Sequence, residues 1–342
     1  MSDPSAEFDL SDDVLYLNHA GVSPWPRRTV DAVQGFAREN GKLGAARYPQ
    51  WIEVESRLRS RLAQLVGAPS AADIAFAKST SEALSIVAYG LEWHAGDNVV
   101  GIGQEFPSNR IVWESLADLG VAYRRLDLYA SDAPEDDLLG LCDARTRVVA
   151  VSSVQYARGL RLDLERLGSH CRATGILLCV DGIQSLGALP FDLHKVQADF
   201  VAADAHKWML GPEAIALLYV NPEIRPRLRL YQYGWHMVEG RGDYDRDDWS
   251  AATDATRFEC GSPNMLGIYG FDASLSLLLE VGIKSVCAAI TERAGRLIEL
   301  IDKHGFELLS PRATERRAGI VTFRVPGIDS KALHKALATQ GL

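Results

Sequence analysis

The chain has 342 residues, 47% hydrophobic and 24% charged, with a formal net charge of -9 and a sequence pI near 5.4. This is the make-up of a globular chain long enough for one large domain and a smaller one. Its acidity argues against nucleic acid or an anionic membrane as the main partner.

In chain order, the polar and acidic start MSDPSAEFDLSDD is not expected to be a secretory signal. No apolar run approaches the ~18 residues of a membrane span. DIAFA (73–77) reads as a strand, and TSEALSIVAYGLEW (80–93) as an amphipathic helix. Strands are expected at 98–103, 122–129, 147–154, 176–182, 199–204 and 214–220, with helices at 108–120 and 164–175. Val-, Ile- and Leu-rich strands spaced by helices imply an α/β fold: a mostly parallel sheet covered on both faces. From Tyr231 to Asn264 the chain turns polar and aromatic without a clean period, and reads as an ordered loop crossing between domains. One long helix is expected from Met265 to His304, then a strand at 318–325 and a helix at 329–342. The five cysteines include no CxxC pair, and Cys179 lies in an apolar run. They fit reduced thiols in a cytoplasm, with no disulfide framework and no metal site.

Ligands of open parallel sheets sit outside the carboxyl ends of the strands. At that edge the sequence places Ser79, Thr80 and Ser81, then Phe106, Gln155, Asp181 and Lys207. A helix start with Thr and Ser hydroxyls can bind a phosphate or simply be capped by Ser79 or Thr80. Asp181 ends a buried strand, where a carboxylate needs a cationic partner such as a protonated ring nitrogen. Gln184 can reach a phenolic oxygen, Phe106 can stack on an aromatic ring, and His206 can donate to a phosphate. Read singly, each has an ordinary structural role; together they describe pyridoxal phosphate. That cofactor needs a lysine for its Schiff base and a carboxylate at its pyridine nitrogen. It also needs a phosphate cradle and a stacking partner. No strand is followed by GxGxxG or GxxxxGK[ST], so a nucleotide-binding enzyme is disfavoured.

VDGIQSLGALPFDL and DFVAADAHKWMLGPEAIALLYV resemble the class V aminotransferase family of pyridoxal-phosphate enzymes, fold type I. The resemblance extends from YLNHAGVSPWP through KSTSEAL and QEFPSN to FECGSPNMLGI, and so covers most of the chain. It implies a three-layer pyridoxal-phosphate-transferase domain followed by a smaller α+β domain. The expected division is an N-terminal segment lining the site (1–25), a large cofactor-binding domain (26–255) and a small C-terminal domain (256–342) that looks truncated. The resemblance makes Lys207 the Schiff-base lysine and proton shuttle, Asp181 the partner of the pyridine nitrogen, and Gln184 the contact of the phenolic oxygen. Thr80, Ser81 and His206 become phosphate ligands, and Phe106 the stacking residue. Ser262 would reach the phosphate of a neighbouring subunit, which implies a homodimer with shared sites. Asn18, His19, Gln155 and Trp235 fall on the substrate side, with His236 a weaker candidate.

Three departures stand out. Asp204 occupies a place where many relatives carry serine; it can hold backbone N–H groups of the turn, and is left out of the phosphate ligands. Neither Cys260 nor Cys287 sits in the mobile-loop motif of the desulfurase nucleophile. After ALATQGL nothing supplies the usual carboxylate-binding arginine, for which Arg257 and Arg324 are conceivable substitutes. The expected activity is chemistry on an amino acid through an external aldimine and α-carbanion, ending in transamination, epimerisation or β-elimination. Cysteine desulfurase or selenocysteine lyase is one alternative. A cofactor-binding homologue without competent catalysis is another.

Overall fold

The computed structural model describes residues 4–342; Met1 to Asp3 of the N-terminal segment lie outside the described residues. Two helices, α1 (Arg27–Leu43) and α2 (Tyr48–Val66), precede the first strand. There follow β1 (Ile74–Ala77), α3 (Thr80–Gly90), β2 (Asn98–Ile102), α4 (Ser108–Glu114), β3 (Ala122–Leu126) and α5 (Pro134–Gly140). Next come β4 (Thr146–Ser152), α6 (Leu164–Thr174), β5 (Leu177–Asp181), α7 (Leu193–Val196), β6 (Phe200–Asp204) and β7 (Ala216–Val220). The chain continues with α8 (Met265–Val281), α9 (Ile283–Lys303), β8 (Glu307–Leu308), β9 (Phe323–Arg324) and α10 (Ser330–Ala338).

The first seven strands form one sheet in the order β1-β7-β6-β5-β4-β2-β3. Pairing is parallel from β3 through β6, while β7 runs antiparallel to both β6 and β1. Only β7 is reversed in this sheet, so β1, β2, β4, β5 and β6 end on one edge. Alternate residues of each strand enter opposite cores. Val149 and Val151 join the layer of α2, α6 and α8; Val148 and Ala150 join that of α3 and α4. Both layers are apolar and buried, and each fully buried Val, Leu or Phe contributes about 1.5–3 kcal/mol. This is the three-layer α/β arrangement.

The expected long helix from Met265 to His304 is two helices bent by 80°. Gly282 between them has φ +83°, a left-handed value that breaks the helix and that other residues adopt only with strain. α8 packs on α1 and α2 in the large domain, although the sequence reading puts it in the small one. We therefore propose a domain boundary at Gly282. The strand expected over 318–325 shrinks to Phe323–Arg324, because the preceding backbone docks elsewhere. Arg317 bridges Leu160 of the large domain, and the Thr322 hydroxyl donates to the Ala157 carbonyl at 2.6 Å. No single helix among the described residues is long and apolar enough to cross a membrane.

Candidate active site

The site gathers where β1, β2, β4, β5 and β6 end. β6 and β7 are joined by a hairpin loop over 205–215, closed by Ala205 N–H to Ile215 O at 3.0 Å and Gly211 N–H to Ala205 O at 2.9 Å. Leu210 and Ala214 are held at φ +60°, which costs a non-glycine residue about 1–2 kcal/mol. Lys207 rides in this hairpin and is only 8% exposed. Burial lowers its amine below the ordinary lysine range, opposed by the charges of Asp181 and Asp204. Its Nζ stands 5.3 Å from the centre of the Phe106 ring. That ring is 42% exposed and meets Tyr156 edge-on.

Asp181 ends β5, paired in register with Ser152 of β4. Burial pushes its carboxyl up to about 6, against the Ile183 N–H that it accepts and the nearby Lys207 charge. Gln184 is already engaged: its amide donates to the Ala20 carbonyl at 3.0 Å and accepts the Trp208 indole N–H at 2.8 Å. Gln184 thereby ties the N-terminal segment to the lysine hairpin. Trp208 in turn lies face-on to His19, ring centres 6.0 Å apart. Gly187 makes room for this hairpin, since a Cβ there would meet the Trp208 carbonyl oxygen at 2.2 Å. Asn18 is exposed in the same segment, where its carbonyl accepts the Gly21 N–H.

At the other end of the site, Ser79 caps α3 by accepting the Glu82 N–H. Thr80 and Asp204 form a reciprocal clasp. The Thr80 N–H donates to the Asp204 carboxylate at 2.9 Å, and the Asp204 N–H donates to the Thr80 hydroxyl at 2.9 Å. Ser81 is exposed and donates to the Ser108 hydroxyl at 2.8 Å. His206 Nδ1 is buried without a hydrogen-bond partner. Burial lowers its pKa, with the neighbouring Asp204 carboxylate opposing.

Several expected residues lie apart from this cluster. Gln155 is buried, but its side chain is spent on local backbone: it donates to Gln104 O and accepts the Ala157 and Arg158 N–H groups. These bonds hold the loop after β4 against the segment that carries Phe106. Trp235 packs with Tyr244 and His236 in an aromatic loop that also carries Tyr233 and Trp249. His236 is buried against Glu259 and Arg241, and borders a cavity with Glu239 and Thr253. Ser262 is exposed on the loop before α8. Arg324 pairs with Glu307 at 2.8 Å on the surface of the small domain. Arg257 borders a separate cavity of about 340 Å³ with Tyr89 and Tyr231.

The sequence reading misses Glu105. Its carboxyl is buried, accepts the Ser152 N–H at 2.7 Å and also takes the Ser152 hydroxyl. Burial raises it to about 7, with the charge of Asp181 adding to the rise. A signal is present in the sequence: an acid directly before the ring-facing Phe106.

These residues fit pyridoxal phosphate. His206 offers an orphaned buried nitrogen beside a helix start, Asp181 is a buried carboxylate facing a lysine, and Phe106 presents an open ring next to that lysine. The family model of class V aminotransferases matches residues 15–342. The chain belongs to that family and is, by that membership, a pyridoxal-phosphate-dependent enzyme. Among curated proteins it is similar to a probable cysteine desulfurase of Pyrococcus abyssi, 29% identical over 335 residues, covering 95% of this chain and 82% of that protein. The cysteine desulfurase of Haloferax volcanii is 29% identical over 361 residues, covering 100% and 82%. Among solved structures, the apo cysteine desulfurase of Thermococcus onnurineus NA1 superposes with a TM-score of 0.88 at 24% identity, covering 99% of this chain and 86% of that one. The cystine C–S lyase C-DES, in complex with its product cysteine persulfide, gives 0.87 at 24% identity, covering 96% and 88%.

Proposed function

We propose that this enzyme cleaves the carbon–sulfur bond of a cysteine- or cystine-type amino acid at the Lys207 site. The observation that carries the site is a buried lysine amine facing the Asp181 carboxylate and the open ring of Phe106. The sulfur substrate is supported by the names of the relatives, desulfurases and a C–S lyase.

When bound, pyridoxal phosphate supplies the electron sink that makes a substrate Cα proton removable. Lys207 would hold it covalently through Nζ, with Thr80, Ser81 and His206 at its phosphate and Phe106 against its ring. Asp181, as a carboxylate, would keep the ring nitrogen protonated. Released as a free amine, Lys207 takes the Cα proton on Nζ; burial keeps that amine closer to neutral and therefore basic at working pH. Asn18 and His19 would contact the substrate.

Neither Cys260 nor Cys287 is supported as a persulfide acceptor. Cys260 Sγ lies 3.5 Å from Gln232 Oε1, and Cys287 packs in an apolar cluster with Trp208 and Ile290. Direct elimination of the sulfur group needs neither. We further propose a cytoplasmic homodimer in which Ser262 serves the partner's phosphate. The exposed aromatic run Tyr231, Tyr233, Tyr244 and Trp249 supports a covered face. The free cysteines support a reducing compartment.

The test is a visible spectrum before and after borohydride, with the reduced adduct located by peptide mass mapping. A yellow protein that bleaches and carries the adduct on Lys207 is expected, and Lys207→Ala loses the adduct. An adduct at another lysine overturns the site.

A further inference from the structure

Asp204 is a carboxylate in the place expected to receive a phosphate. It is 8% exposed, and its Oδ2 accepts the first N–H of α3, that of Thr80, at 2.9 Å. Its Oδ1 lies 4.0 Å from His206 Nδ1, the buried ring atom that has no hydrogen-bond partner. Its backbone N–H donates to the Thr80 hydroxyl, so that hydroxyl keeps its own proton free to donate outward. The end of the site thus contains a resident anion, a helix start whose first N–H is already taken, and an unpaired imidazole.

Charge governs how a second anion can enter. A phosphate monoester is a dianion above a second ionisation near pH 6. Brought beside the Asp204 carboxylate, it meets like charge in a poorly solvated setting, where repulsion is weakly screened. One proton on His206, whose Nδ1 lies 4.0 Å from Asp204 Oδ1, relieves the conflict by setting a positive charge beside both anions. Burial holds His206 below the ordinary imidazole range, with Asp204 opposing, and an arriving dianion raises it. The other charged groups facing this pair are Lys207 and Glu213 of the hairpin and Asp181 of β5.

We infer that Asp204 is a positioning residue of the phosphate end: it holds Thr80 and His206 in place and obliges a phosphate dianion to enter together with a proton. This rests on the pyridoxal-phosphate reading of the site. The residue acts through Thr80 and His206, and touches no reacting atom. Affinity for the phosphate end is then greatest on the acid side of the window between the empty and occupied pKa of His206, and falls as pH rises through it.

The probe is pyridoxine 5'-phosphate, which lacks the aldehyde and cannot join Lys207. Its dissociation constant is measured at pH 7 and pH 9 for the wild type, Asp204→Asn and Asp204→Ser. One linked proton changes affinity by up to about tenfold per pH unit. The wild type is expected to lose roughly tenfold more affinity over this range than either variant, and both variants to bind tighter at pH 9. Parallel profiles in all three proteins overturn the inference. Thermal unfolding confirms that the variants fold. Calorimetry of the wild type in two buffers of different ionisation enthalpy keeps the test independent of them. Proton uptake with pyridoxine 5'-phosphate must exceed uptake with unphosphorylated pyridoxine; equal uptake overturns the proposal. Failure of every protein to bind the probe at either pH overturns the reading of the site itself, and the inference with it.

Discussion

Asp181 and Glu105 are two carboxyls at the ends of β5 and β2, strands that flank β4, both raised by burial, to about 6 and about 7. They have different jobs. Asp181 accepts one backbone N–H and faces Lys207, while Glu105 is consumed by Ser152. Asp181→Asn is expected to keep the cofactor attached but slow exchange of the substrate Cα proton by about a hundredfold or more. Deuterium incorporation followed by NMR measures this; unchanged exchange removes Asp181 from the chemistry. For Glu105 the linkage runs the other way from a salt-bridged acid. Its folded pKa lies above the ordinary 4.5, so its stabilising contribution is present below pH 4.5 and lost as pH rises through about 7. Glu105→Gln in the cofactor-free protein should therefore gain stability relative to wild type between pH 4.5 and 8, by on the order of 1–3 kcal/mol, read from urea unfolding at both ends. Lys207, Asp181 and His206 are legible in the sequence because a charged residue ending an apolar strand is conspicuous. Glu105 leaves only its place directly before Phe106 as a signal, and is missed because an acid in a loop ordinarily reads as solvated. Gln155 reads as a site residue from its place after a strand, but sequence cannot reveal that a side chain will be spent on its own loop.

Among the elements, β1 is the most exposed to loss. It is four residues long and lies at one end of the sheet. Its open side is satisfied by side chains. Arg59 of α2 donates to Ile74 O at 2.6 Å, and Glu259 accepts the Phe76 N–H at 2.9 Å. Arg59 also pairs with Glu259 and Glu55, all three nearly buried. The cluster is an edge-strand cover as well as an ion pair. Removing one member leaves buried charge behind, so Arg59→Ala should cost about 3–5 kcal/mol in urea unfolding. A loss under about 1 kcal/mol, the range of an exposed pair, would mean that the cluster is solvated and idle. The central strands can be read from sequence because their apolar runs are continuous. α1 and α2 escape that reading, and the small domain invites too much regular structure: β8 and β9 have two residues each, held by docking on the loop at 157–161 that no local pattern encodes.

For the molecule as a whole, the shared-site homodimer makes a sharp expectation. If Ser262 serves the partner's site, Lys207→Ala and Ser262→Asp chains mixed after dissociation form hybrids with one intact site and one doubly broken site. Activity should return to about a quarter of wild type at random pairing. No recovery, with hybrid dimers present by mass, would show that each site is built from one chain.

The reversal of β7 also fixes an order of events. Lys207 and Asp204 share a hairpin and can find each other as soon as that hairpin closes, whereas Thr80 comes from 124 residues away in the chain. It arrives only when β1 docks on the far side of β7, a contact that closes a far longer loop than the hairpin does. The covalent anchor is thus assembled early and the anion cradle late. Transient peeling of β1 would undo the cradle first, so amides of Ile74–Ala77 should exchange with deuterium ahead of those of β5 and β6, and slow when the cradle is filled.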